Sequence, residues 1–165
     1  MPTDKGKNHI SVQIATECEE VDADLCGLEQ LAKAVCSRFD PGNVNVSIAI
    51  VDDEQFRRLN KQFRKRDTIS DCLSFDLSDN RKADSPRFFE LVLNGQQAVR
   101  EALRRGHPVK AELALYLTHG LLHNLGFDDA TASQAEIMHT TEDKILEESG
   151  YGRVYNTNVD EQGCV

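Results

Sequence analysis

The feature that most constrains this chain is the run Val109–Leu125. It is long, mainly apolar, interrupted by His119 and His123, and followed at once by Gly126. A run of this length with few breakers reads as a helix over 109–125. Its apolar residues must be covered, so the rest of the chain has to wrap it. Histidines four apart lie on one helix face, about 40° from each other. Their imidazoles can converge on one ion. Continued helix would carry position 129 about 240° round from His123, away from that ion. Gly126 can end the helix in a left-handed conformation and turn the chain back, bringing Asp129 toward both rings.

The other elements follow from periodicity and punctuation. Ile10, Val12 and Ile14 alternate with polar residues, as do Val44, Val46, Ile48 and Ile50, so both segments read as strands. Residues 25–39 read as an amphipathic helix with Asp24 as its cap. Asp52 or Asp53 caps a short helix whose apolar positions are Phe56, Leu59 and Phe63, and residues 64–70 form a loop. Cys72, Leu73 and Phe75 indicate a short strand, Ser78 to Arg87 a polar loop, and Phe88 to Leu93 a further strand. Asn94-Gly95 turns into a helix over 96–105, ended by Gly106. Ser133-x-x-Glu136 reads as a capping box opening a last helix to about Glu148, with Thr131 as a second possible cap. The expected fold is α+β (α/β-like): one domain, with a small mixed sheet packed by about five helices. The metal site should sit on a central helix and the loop after it. Residues 1–8 read as a flexible N-terminal arm, 9–150 as the domain and 151–165 as a C-terminal tail.

Charge narrows the function. The chain of 165 residues carries a formal net charge of −9, which excludes a protein that coats nucleic acid with basic surface. Yet residues 57–66 hold Arg57, Arg58, Lys61, Arg64, Lys65 and Arg66 with no acid among them. One basic segment in an acidic protein fits local contact with phosphate. The five cysteines form no C-x-x-C pair, and Met1 to Lys7 is too polar for a secretion signal, so reduced thiols and a cytoplasmic location are expected. No apolar run has the length of a membrane span.

His119, His123 and Asp129 are therefore the candidate metal ligands, with Asp128 as the alternative carboxylate. Without a metal, the same residues would be a polar helix end, a glycine cap and a solvated loop. Three protein ligands leave a position open, which is the form of a catalytic zinc site. A carboxylate in the set lowers the charge of the site and weakens the ion as a Lewis acid. Two histidines and one carboxylate also suit non-haem iron. Gly120 stands where an H-E-x-x-H peptidase carries its glutamate base, which counts against peptide hydrolysis. Met138 falls on the apolar face of the last helix with Ile137 and Ile145 and reads as core.

Two blocks of the chain resemble the YbeY family, bacterial metal-dependent endoribonucleases of ribosomal RNA maturation. The first is His119-Gly120-Leu121-Leu122-His123-Asn124-Leu125-Gly126-Phe127-Asp128-Asp129, followed by Met138 and Glu142. The family pattern is H-G-x-L-H-L-x-G-Y-D-H. The second is Leu59-Asn60-x-x-Phe63-Arg64-x-x-Asp67, then Ser70-Asp71-Cys72-Leu73-Ser74-Phe75, against L-N-x-x-Y-R-x-x-D and T-D-V-L-S-F. Asp129 departs from the pattern by replacing the third histidine.

The resemblance implies cleavage of single-stranded RNA in small-subunit rRNA 3′-end maturation and ribosome quality control. It implies one zinc ion, with another divalent metal possible because of Asp129. The expected partners are ribosomal RNA and the ribosome or small subunit with its assembly factors. It makes Arg64 and His119 catalytic, with Arg64 holding the scissile phosphate and Lys61, Lys65 and Arg66 guiding the RNA backbone. The alternatives are a metalloprotease-like hydrolase and a metal-binding ribosome assembly factor without turnover.

Overall fold

The computed structural model describes residues 9–39, 41–79 and 85–152. The 1–8 arm and residues 153–165 of the expected tail lie outside the described residues. The elements in order are β1 (Ile10–Thr16), α1 (Leu25–Phe39), β2 (Val44–Val51), α2 (Asp53–Arg64), β3 (Cys72–Asp76), β4 (Arg87–Asn94), α3 (Gly95–Arg105), α4 (Val109–Asn124) and α5 (Ala132–Glu148). The strands form one mixed sheet of order β1-β2-β4-β3. β1, β2 and β4 run parallel, and β3 lies antiparallel against the outer side of β4. The fold is the α+β arrangement expected.

Strand alternation assigns the two faces of the sheet. Val44, Val46, Ile48 and Ile50 of β2, with Phe89, Leu91 and Leu93 of β4, join the main core around α1 and α4. Val51, Leu73 and Val92 point the other way and pack on Phe56 of α2. α4 is the hub: Leu113, Ala114, Leu117, Leu121 and Leu122 are fully buried, and it packs against the sheet and against α1, α3 and α5. A helix apolar nearly all round belongs at the centre of a fold.

Gly120 sits where α4 crosses the sheet. A Cβ there would lie 2.6 Å from Leu91 Cδ2 and 2.8 Å from Cys72 Sγ. Its missing side chain thus serves close packing of helix on strands. This direction also explains why a glutamate base cannot stand at this position: it would be driven into the sheet.

Several boundaries differ from the pattern reading. The last helix starts at Ala132, because Thr131 is extended and its hydroxyl accepts from Gln134 N. The Gln134 side chain returns the bond to Thr131 N at 3.1 Å, so the capping box is Thr131/Gln134 and Ser133 is the second helical residue. Phe63 does not join the apolar face of α2; it is 58% exposed. Tyr151 packs against the main core instead of beginning a tail, with its amide bonded to Leu146 O at 2.8 Å.

α2 and α3 are tied by Asp53, whose carboxylate accepts from both Nη atoms of Arg100 at 2.6 and 2.8 Å and from Asn94 Nδ2 at 2.8 Å. The Arg100 bonds hold the Asp53 carboxyl below its ordinary value, against the opposing effect of burial. A depressed carboxyl contributes stability above its unfolded pKa of about 3.9 and loses it as pH falls through the lower folded value. Arg100→Met should therefore cost about 0.5–1 kcal/mol at pH 7, the pair being partly exposed, and the difference should fade below about pH 3. Urea unfolding across pH measures this. Gly120→Ala should cost about 1–3 kcal/mol through overpacking at the α4–sheet contact; an unchanged urea midpoint would contradict that packing.

Candidate metal centre and its cleft

The site begins with the way α4 ends. Leu125 is the cap, and Gly126 follows with φ of +104°. Phe127 N bonds Leu122 O at 2.9 Å and Gly126 N bonds His123 O at 3.1 Å. This is the 6→1 and 5→2 pair of a Schellman motif. Phe127 then packs edge-on against Phe39 of α1, with ring centroids 5.3 Å apart. Arg87 Nη2 donates to Asn124 O at 3.2 Å, placing a cation at the carbonyl end of the helix. The reversed chain brings Asp129 back over the histidines. Its Oδ2 lies 3.9 Å from His119 Nε2 and 3.7 Å from His123 Nε2. Asp128 is taken up locally, its Oδ1 accepting from Asp129 N at 2.8 Å.

The two imidazoles are oriented from behind. His123 Nδ1 lies 3.2 Å from the Phe127 carbonyl, which can only accept, so His123 donates from Nδ1. His119 Nδ1 lies 2.5 Å from Glu142 Oε1. With the protons held on Nδ1, both neutral rings present bare Nε2 lone pairs, and those nitrogens are only 3.1 Å apart. Two lone pairs that close repel each other unless a cation or proton lies between them. Two tetrahedral zinc–nitrogen bonds of about 2.0–2.1 Å would set their nitrogens about 3.3 Å apart. His119, His123 and Asp129 thus form a group that can hold a metal ion, their ligand atoms all within 4.8 Å of one another.

Electrostatics favour a cation here. Burial of His119 disfavours its charged form. The hydrogen bond to Glu142 and the charges of Glu142, Asp71 and Asp129 outweigh burial, and the pKa of His119 is raised. Glu142 is fully buried and also accepts from His139 Nδ1 at 3.1 Å; the His139 ring stacks on His119 with centroids 6.4 Å apart. α5 delivers Glu142 because Met138, Glu142 and Ile145 share one face at i, i+4 and i+7. Pattern reading placed neither Glu142 nor His139 in the site. The available signal was a carboxylate on the apolar stripe of α5.

A cleft of about 460 Å³ opens beside the histidines, lined on the far side by Arg64, Arg66, Ser70, Asp71 and Ser74. Asn60, only 3% exposed, ties the loop after α2 into place: its Nδ2 donates to Thr68 O at 3.0 Å and Thr68 Oγ1 at 2.9 Å. Lys65 takes a left-handed φ of 55°, and its amide bonds Asn60 O. The turn leaves Arg64 on the cleft wall, with Nη2 donating to Ser74 O at 3.0 Å and the guanidinium 5.5 Å from the Phe75 ring centroid. Among the described residues no carboxylate pairs with Arg64, whereas Arg57 pairs with Asp67 and Arg58 with Glu54. Lys61 and Lys65 are exposed and stand outside the cleft lining.

The family model for "Endoribonuclease YbeY" matches residues 12–150. The chain belongs to the YbeY family. The Endoribonuclease YbeY of Myxococcus xanthus (strain DK1622) is 36% identical over 146 residues, covering 87% of this chain and 49% of that protein. This chain thus spans about half of that relative's length. The Endoribonuclease YbeY of Carboxydothermus hydrogenoformans is 34% identical over 137 residues, covering 82% of this chain and 94% of that protein. The solution structure of TM1509 from Thermotoga maritima superposes with a TM-score of 0.51 at 20% identity, covering 84% of this chain and 90% of that one. At that identity the likeness concerns the fold alone. Proteins carrying the YbeY name are endoribonucleases, hydrolases of internal RNA phosphodiester bonds.

If Glu142 orients His119, Glu142→Gln should keep the fold yet weaken metal binding about 10- to 100-fold. Competition with a chromophoric chelator measures this; unchanged affinity would remove Glu142 from the site.

Proposed function

We propose that this protein is a metal-dependent endoribonuclease that cleaves single-stranded ribosomal RNA, acting in small-subunit rRNA 3′-end maturation and ribosome quality control. The observation that carries the reading is one cleft with two kinds of wall. On one side stand His119 and His123, whose Nε2 atoms group with Asp129; on the other stands Arg64, a guanidinium with no carboxylate partner among the described residues. Membership of the YbeY family supports RNA as the substrate. The ribosome or small subunit and its assembly factors are the proposed partners, in the cytoplasm. No described helix is long and apolar enough to cross a membrane.

His119, His123 and Asp129 would hold the ion, zinc being our first choice and another divalent metal the second. When bound, that ion supplies Lewis-acid stabilisation to a phosphate oxygen. The remaining roles belong to the chain. Arg64 binds the scissile phosphate, its guanidinium offering two parallel donors to two oxygens and neutralising charge that builds on them. The Ser74 carbonyl and the Phe75 ring set its orientation. Arg66 shares the cleft wall and contacts an adjoining phosphate. Lys61 and Lys65 extend the positive field along the RNA backbone, which carries no sequence information. Asp128 is engaged with its neighbour's amide, whereas Asp71 lines the cleft on the same wall as Arg64. It is our candidate for accepting the proton of the attacking nucleophile.

Peptide hydrolysis is disfavoured because position 120 faces the sheet and cannot carry a base. The test is cleavage of a single-stranded rRNA fragment by the full chain. His119→Ala and chelation should abolish it, and Arg64→Ala should lower the rate roughly 10²- to 10³-fold. Activity equal to that of His119→Ala protein would leave only the assembly-factor reading.

A further inference from the structure

Phe63 is a large apolar side chain left on the surface. It is 58% exposed at the last turn of α2, although the helix buries Asn60 and Phe56 one and two turns earlier. Its ring meets Phe75 edge to face, with centroids 5.6 Å apart and planes at 62°. Phe75 is half-buried and packs against the smaller core, so it is a fixed base for the pair. The other neighbour of Phe75 is the Arg64 guanidinium, 5.5 Å from its ring centroid. Phe63, Phe75 and Arg64 thus form a continuous group that starts at the cleft wall and ends on an open aromatic face. Exposing a large aromatic ring to water is unfavourable, and here the next three residues in sequence are the cations Arg64, Lys65 and Arg66.

We infer that Phe63 is a stacking platform for a nucleobase of the RNA strand, next to the phosphate held by Arg64. The inference rests on the proposed RNA substrate. A strand anchored by its phosphate at Arg64 must send its flanking bases somewhere, and single-stranded nucleic acid is typically bound by a cationic track beside aromatic faces. An aliphatic or protein partner would not need the adjoining cations. A stacked base would also place its phosphodiester relative to the guanidinium, so Phe63 would act on register without reading sequence, since every base has a π-face. This also accounts for single-strand preference: a base inside a duplex has no free face to offer.

The test is binding of a fluorescein-labelled single-stranded oligoribonucleotide to the full chain carrying His119→Ala, so that cleavage does not interfere. Phe63→Ala and Phe63→Leu should each weaken binding roughly 5- to 100-fold, while Phe63→Trp should retain it. Leucine keeps an apolar contact with Phe75, so a loss in both variants reports the π-face and not a damaged helix end. The dependence of log affinity on log salt should be unchanged by Phe63→Ala, whereas Arg64→Ala should reduce that slope by about 0.7. Unchanged affinity in Phe63→Ala, with RNA binding otherwise intact, would overturn the stacking role alone. Affinity lost in Phe63→Ala and retained in Phe63→Leu would overturn it as well. No RNA binding by the His119→Ala protein with Phe63 intact would overturn the proposed substrate together with it.

Discussion

Two hydrogen bonds at the back of two imidazoles set the character of this protein. His123 gives its Nδ1 proton to the Phe127 carbonyl and His119 faces Glu142 with its own Nδ1. Each bond alone would be an ordinary polar contact. Together they turn both Nε2 atoms toward one point, 3.1 Å apart, in a field of carboxylates. A fold that tolerates such a pair must offer something positive between the rings. Much of the remaining structure serves to keep those bonds in place.

The supports come from every direction. α4 is buried on most sides, so neither histidine can move without moving the core. The Schellman turn fixes the Phe127 carbonyl that orients His123, and the Phe39 contact holds Phe127 in turn. α5 offers a fully buried carboxylate, shared between His119 and His139. On the opposite wall two asparagines do comparable work. Asn60 holds the loop after α2. Asn94 caps α3, bonds Asp53, and donates to Ser70 O at 3.2 Å, so both ends of the 65–71 segment are tied to regular elements. The Arg64 side and the histidine side of the cleft are thus built by separate contacts onto one helix and one sheet.

What could be read from sequence was what local chemistry decides. Alternation of Val44, Val46, Ile48 and Ile50 marked β2, and the turn at Gly126 followed from the need to bring residue 129 back to the histidines. Spacing also grouped His119, His123 and Asp129. What could not be read depends on contacts distant in sequence. Glu142 is 23 residues from His119, and its position on an apolar stripe acquires meaning only when α5 lies against α4. Asn60 looks like any polar helical residue until the following loop folds over it. Phe63 has the spacing of a core residue but stays 58% exposed, in edge contact with Phe75. Of the basic run, Arg64 and Arg66 reach the cleft, while Lys61 and Lys65 are exposed outside its lining. The Ser133 cap failed because Thr131 offers the same bond two residues earlier, where the backbone is already extended.

Asp129 adds a charged oxygen to the two imidazoles in the group that could hold a metal ion. Elemental analysis of the full chain purified without added metal, beside Asp129→Ala protein, tests this most directly. Close to one equivalent of a divalent transition metal is expected in the unmodified chain, with a clear loss in the variant. Equal metal content in both, or none in either, would contradict it.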